Sequence, residues 1–314
     1  MTSGSEPRVG PAWTEEKRGE PTTRQDFVYR PRSLSGMVFR QFLQHRLAVL
    51  GMVMLVLISL SALFADVLAP YDPTYIDPGF LNDAPSRAHP LGLDQIGRDV
   101  FSRLLYGGRV SLSVGVVAVA IYMSIGLVVG SLAGYFGGVV DSVISRIIDV
   151  ILSFPRLMLI LVLVSVLGPG LRNIMLILGV LGWPGVARIV RGEILRLRVQ
   201  EYVLAARAIG VSNRRILIRH ILPNAMGPVL VAATFGMAVA ILQEAGLSFL
   251  GLGVQPPASS WGQMLNQARS LTVLESKPWL WVPPGMSILL SVLSINFMGD
   301  GLRDALDPEL RGRD

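Results

Sequence analysis

Six times along the chain a run of about twenty mostly apolar residues is followed by a polar interval, the length of helix needed to cross a hydrocarbon core of about 30 Å. The first run, 47–69, is the cleanest, and 110–135, 147–167, 171–190, 226–246 and 281–298 follow, with Gly, Pro and a few ionisable residues at their margins. This pattern predicts an all-α membrane protein with six transmembrane helices, because only helices satisfy every backbone group within a single apolar segment. The first run is too long and starts too far into the chain for a signal peptide, and "ADVLAPYDP" after it carries no cleavage pattern. Residues 1–33 are rich in Gly, Pro, Ser, Thr and charge. They have too little apolar surface to offset the entropy of ordering, so they are predicted to form a disordered cytoplasmic tail ahead of one domain, 34–314.

Composition strengthens the membrane assignment: 51% of residues are hydrophobic and 16% charged, against about 25% charged in a soluble domain. The net charge of +6 does not indicate nucleic acid, since the basic residues are segregated between apolar runs. One cluster precedes Leu47 and includes Arg40 and Arg46. The other lies between the fourth and fifth runs and includes Arg188, Arg191, Arg196, Arg198, Arg207, Arg214, Arg215 and Arg219. Basic loops stay on the cytoplasmic side, so both termini and the loop 191–224 are expected inside, with 70–109 and 247–280 outside.

Within the runs, Gly126, Gly130, Gly134 and Gly138 recur every four residues and predict a groove for close helix packing. Pro155 and Pro184 interrupt the third and fourth runs and predict kinks. Asp149 and Arg156 fall two turns apart on one face, open to a structural pair or a functional one. Glu244 closes the fifth run, where it either faces a water-filled translocation path or reaches the interface. Asn296 and Asp300 close the sixth.

Catalytic chemistry is poorly supplied. The lysines, Lys17 and Lys277, follow Glu and Ser, which leaves no glycine-rich loop and lysine to cradle ATP phosphates. "GLSF" at 246–249 offers a serine, but His45, His89 and His220 lie in loops or at interfaces, too shallow to serve as its base. Gly-x-Gly-Asp and H-E-x-x-H are both missing, cysteine is absent, and no catalytic residue, cofactor or metal is expected.

The stretch "EYVLAARAIGVSNRRILIRHILPN", 201–224, resembles the cytoplasmic "EAA" loop of ABC-type importer permeases. Ala205, Ala206, Gly210, Leu222 and Pro223 are in register; Leu204 stands where that pattern has Glu and His220 where it has Ile. Glu201, one turn earlier on nearly the same face, is the candidate replacement. "HPLGLDQIGRDVFSRLLYGGRVSLSVG" (89–115), "LSFLGLG" (247–253), "SSWGQML" (259–265) and "GDGLRDALDPELR" (299–311) are similar to the oligopeptide and dipeptide branch, specifically its second permease subunit.

The resemblance implies the six-helix type I importer fold and a permease subunit rather than an enzyme. Its implied partners are a homologous second permease, two ATP-binding subunits, an extracytoplasmic substrate-binding protein and a peptide substrate in a bacterial or archaeal plasma membrane. Glu201, Ala205, Ala206, Arg207, Gly210, Leu222 and Pro223 become the residues expected to couple to the ATPase; Arg207, Arg214 and Arg215 have lipid phosphate as an alternative contact. Nickel-chelate or glutathione import is the related alternative, and a membrane-integral hydrolase the alternative from another class. The segment 95–109, apolar on one face with Arg98, Asp99 and Arg103 on the other, predicts an interfacial helix that anchors to the membrane or meets the binding protein.

Overall fold

A computed structural model describes residues 34–79 and 81–306. The proposed N-terminal tail lies outside them, as does the end of the C-terminal motif. Helix α1 (Leu34–Gln44) runs almost into α2 (Arg46–Leu63), separated by His45, whose ring accepts the Ala48 amide at 3.1 Å as an N-cap. A short α3 (Ala65–Leu68) follows, and the next long element is α4 (Val100–Phe136). After it come α5 (Gly138–Ser153), α6 (Arg156–Leu167), α7 (Leu171–Leu197) and the eight-residue α8 (Glu201–Ala208). The single turn α9 (Asn213–Arg215) leads through a π-helical segment, Ile216–Ile221, into α10 (Leu222–Phe249). Short α11 (Trp261–Leu265) and α12 (Leu271–Ser276) precede α13 (Val282–Leu306). No strand occurs among the described residues; Leu93 and Asp99 form an isolated bridge.

Five helices are long and apolar enough to cross a bilayer: α2, α4, α7, the run Asn213–Phe249 and α13. The third predicted span is instead the pair α5 and α6, bent by 84° at a break between them. Pro155 explains the break: its ring disfavours helix in the residue before it, and Phe154 is extended at φ −89°, ψ 139°. Pro184 sits inside α7 without ending it.

The bundle is built on α4. Its fullest contact is with α7; α10 packs on α4 and α7, α13 on α10, and α2 on α13. The glycine seam accounts for the α4–α7 contact. A Cβ at Gly126 would meet Val186 Cβ at 2.7 Å, one at Gly130 the Ala187 carbonyl oxygen at 2.5 Å, and one at Gly134 the Arg191 carbonyl oxygen at 2.9 Å. Backbones approach here as in other small-residue membrane seams. Gly138 is not part of the seam: it lies beyond α4 at φ +53° with open space around its Cβ position.

Two expectations from the sequence change. The segment 95–109 forms no interfacial helix, because Asp99 caps α4, accepting the Ser102 amide at 2.7 Å, and α4 runs straight on into its span. Arg98, Asp99 and Arg103 are buried rather than turned to water. Asp94 accepts Arg98 Nε at 2.8 Å and lies 3.6 Å from Arg103, while Arg103 also donates to Gln263 Oε1 at 2.7 Å. Asp149 does not pair with Arg156 across the break; it takes Arg188 of α7 at 2.9 Å.

Candidate functional site

At the C-terminal end of α7 the chain turns into α8, and α8 is held against the bundle by its inward face. Val203 and Ala206 are buried and join Val190, Ile194, Leu197, Ile216 and Ile221 in one core cluster. Positions 203 and 206 are three apart, hence on one helical face. The other face stays open: Glu201, Leu204, Ala205 and Arg207 are exposed. Ala205 and Ala206 therefore do not share an outward face; Ala205 looks out and Ala206 packs in.

Gly210 ends this element at φ +79°, the left-handed region in which residues with a Cβ are strained. Its amide bonds the Arg207 carbonyl at 3.0 Å, and the Val211 amide reaches back to Ala206 at 3.1 Å. Nothing lies within 4 Å of the Gly210 Cβ position, so the backbone conformation and not crowding requires glycine there. Leu222 is half-buried at the start of α10, and Pro223 is exposed in that helix's first turn, where a missing N–H costs nothing. Leu204, where the loop pattern has Glu, is 48% exposed, and Ile209 is 82% exposed. The outward surface of α8 and its C-cap thus carries one carboxylate, one guanidinium and three large side chains, Tyr202, Leu204 and Ile209.

The loop is tied to the membrane helices at both ends. Tyr135, near the end of α4, donates to Asn213 Oδ1 at 2.8 Å, and Arg198 donates to the Gly134 carbonyl at 3.0 Å. The first turn of α5 is clamped to α7 by the Arg191–Asp141 ion pair. None of these three ties shows in the sequence. A polar residue near a span end was the available signal, but its partner lies far away in the chain.

Glu244 is 0% exposed. Its carboxylate accepts Ser248 Oγ at 2.7 Å and Ser111 Oγ at 3.1 Å. The same hydroxyls accept backbone amides, Ser111 from Trp261 and Ser248 from Val254, each at 3.1 Å. Within this chain Glu244 pins α10 to α4 and to the loop that follows α10. Ser248 is equally enclosed, without a histidine beside it, which removes the nucleophile a hydrolase would need.

At the opposite end of the bundle, Asp66 of α3 receives Arg109 Nη2 at 2.7 Å and the Tyr106 hydroxyl at 2.8 Å. The Arg109 guanidinium, followed by Tyr106, holds the Asp66 carboxyl below its ordinary range. Among the described residues no cluster of His, Asp and Glu is arranged to hold a metal ion.

Residues 126–312 match the family model described as the binding-protein-dependent transport system inner membrane component, and residues 33–85 match the N-terminal transmembrane domain of oligopeptide transport permease C. A Brucella ovis protein named as a peptide permease is 45% identical over 268 residues, 85% of this chain and 89% of that one. The dipeptide transport system permease of Alkalihalophilus pseudofirmus is 40% identical, covering 87% and 89%. A glutathione transport system permease of Escherichia coli O6:K15:H31 is 44% identical, covering 87% and 90%. Among solved structures, an inward-facing form of the MetNI methionine ABC transporter is similar in fold, with a TM-score of 0.55 at 22% identity over 66% of this chain and 97% of that one.

Proposed function

The chain belongs to the family of binding-protein-dependent transport system inner membrane components, and from that premise we propose that it forms half of an inward pathway for di- and oligopeptides. Membership makes it a multi-pass inner-membrane permease subunit of an ABC importer, with ATP hydrolysed by partner subunits. Peptides as cargo rest on one observation: the long alignments at 40–45% identity are with permeases named for peptides or for the tripeptide glutathione.

The partner set in this reading is one homologous permease, two ATP-binding subunits and an extracytoplasmic binding protein. Both termini and the 191–224 loop face the cytoplasm, as the basic clusters require. The exposed Glu201, Ala205 and Arg207 of α8 meet the ATPase; Gly210 sets the turn, and Ala206, Leu222 and Pro223 shape the loop from behind. Closure of the ATPase pair moves α8 and, through its core with α7 and α10, the membrane helices. Glutathione is favoured as a second reading by the Escherichia coli relative.

Reconstitution of the chain with its three partner subunits and binding protein in proteoliposomes should give ATP-dependent accumulation of labelled dipeptide. Accumulation of glutathione alone would select the second reading, and uptake by this subunit without ATPase partners would overturn the assignment.

A further inference from the structure

Midway along α4, α7 and α10 the helices leave a cavity of ≈ 230 Å³ whose wall includes Tyr122, Arg156, Gly182, Gly185 and Gly236. Two of those glycines exist for the tyrosine. A Cβ at Gly182 would lie 2.7 Å from the Tyr122 ring, and one at Gly236 would lie 1.6 Å from its phenol oxygen. The ring is therefore gripped between α7 and α10 and is 5% exposed. Its hydroxyl, buried at this position, has no hydrogen-bond partner. Native structures rarely leave a buried hydroxyl unpaired without a reason in ligand or water.

Arg156 stands on the same wall as the first residue of α6, at the 84° break. The sequence offers Asp149 as its counter-ion, but Asp149 is taken by Arg188, and among the described residues the Arg156 guanidinium makes no ion pair or hydrogen bond. A cation at membrane depth with no partner is costly and marks a site where an anion is met. The uncapped N-terminus of α6 adds positive potential at the same end.

We propose that this cavity is a transit subsite for a carboxylate of the transported substrate, paired by the Arg156 guanidinium and hydrogen-bonded by the Tyr122 hydroxyl. The proposal rests on the peptide reading above, because a peptide always brings a terminal carboxylate. The fork of a guanidinium matches a carboxylate in a bidentate pair, and a phenol fixed by two glycines is ordered before the ligand arrives. Whole-ligand pockets span about 300–1,000 Å³, so ≈ 230 Å³ fits one end of a peptide and not its whole length. Contact at one end also suits a carrier, which must release what it holds. A lipid phosphate presents similar chemistry, and the test separates it.

The complete transporter, with its binding protein saturated, should be assayed in proteoliposomes for uptake of a dipeptide and of its C-terminal amide. Arg156→Gln is expected to lower uptake of the free acid at least tenfold while changing the amide less than twofold. Arg156→Lys, which keeps the charge without the fork, should keep at least threefold more acid uptake than Arg156→Gln, and Tyr122→Phe, which keeps the packed ring, should lose about threefold. Equal losses on acid and amide, or unchanged acid uptake in Arg156→Gln, would overturn the site. If the amide is not carried at all, the Gln and Lys variants decide, and equal acid uptake in the two overturns it. A loss that follows the anionic-lipid content of the vesicle and not peptide charge assigns the site to lipid phosphate instead. A parent transporter that moves no peptide removes the peptide reading and this proposal together, whereas peptide uptake indifferent to position 156 removes the subsite alone.

Discussion

The phenol of Tyr135 donates to Asn213 Oδ1 across 2.8 Å, joining the C-terminal end of α4 to the turn that opens the run into α10. The two residues bracket the segment that carries α8, so this bond and the Arg198–Gly134 bond close the loop onto the bundle. A loop meant to transmit force needs both ends fixed, since a loose end would absorb the displacement of α8 before it reached the helices. Tyr135→Phe keeps the buried ring and removes one hydrogen bond, worth about 1 kcal/mol. Thermal unfolding of the assembled transporter should shift by only a few degrees, while peptide moved per ATP hydrolysed should fall about twofold or more. An unchanged transport-to-hydrolysis ratio would detach this bond from coupling.

Gly210 carries the second expectation. With φ at +79° and open space around it, a β-branched residue suffers backbone strain of about 1–2 kcal/mol but no clash. Gly210→Val should therefore leave membrane insertion intact and weaken co-purification of the ATP-binding subunits, whereas Gly210→Asn, which tolerates this backbone region, should retain most of it. Equal retention by both variants would show that the turn's geometry is not what the partner reads. Glu201→Ala tests the neighbouring carboxylate: if Glu201 stands in for the residue missing at Leu204, coupling should fall without loss of the folded chain.

A third expectation concerns the seam. Gly130→Leu must place carbon where the Ala187 carbonyl already lies 2.5 Å away; overpacking of this kind costs about 1–3 kcal/mol, and separation of α4 from α7 would cost more. Gly246→Ala is the control, with nothing within 4 Å of its Cβ position and a helix propensity gain of up to about 1 kcal/mol. Detergent melting should drop for the first and hold or rise for the second. Matching melting curves would mean that the seam is not what holds the bundle.

What the sequence could show follows from the range of each signal. Apolar run length is local, so the presence of long helices was legible but their ends were not: α4 starts at Val100 against a run that starts at 110, and α13 continues to Leu306 against a run that stops at 298, because a helix can continue past its apolar run. The seam was legible too, because a spacing of four residues puts glycines on one face of any α-helix. Gly138 matched that spacing but not the helix, which ends at Phe136 with Gly137 as its cap. Pro155 signalled an interruption, yet its 84° size depends on what the two halves pack against. The segment 95–109 shows the same limit from the other side: amphipathicity was real, but water and membrane were not the two environments. Its charged face is buried against the outer loop, with Asp94 and Gln263 as partners at separations no periodicity reveals. Tyr122 and Arg156 are the sharpest case, since their juxtaposition requires α4, α6, α7 and α10 together.

Asp66 and Arg109 give the last expectation, and here the sign of the pH effect can be worked out. Arg109 lowers the folded-state pKa of Asp66 below its ordinary 3.8. The contribution of the pair is then fully present above the ordinary carboxylate range and is lost as pH falls through the lower, folded-state value. Between neutral pH and about pH 5 the attachment of α3 to α4 should be indifferent to acid; below about pH 4 it should loosen. Both side chains are partly in water, Asp66 66% and Arg109 32% exposed, so salt screens the pair and the global stability should hardly move. The effect belongs in local hydrogen exchange of residues 62–68: protection in the parent should decline as pH is lowered from 5 to 3 after correction for intrinsic rates, and Asp66→Asn should start lower and stay flat. Parallel profiles for the two proteins would mean that the Arg109 contacts to the Ala62 and Leu63 carbonyls, at 2.6 and 2.5 Å, hold α3 without help from the carboxylate.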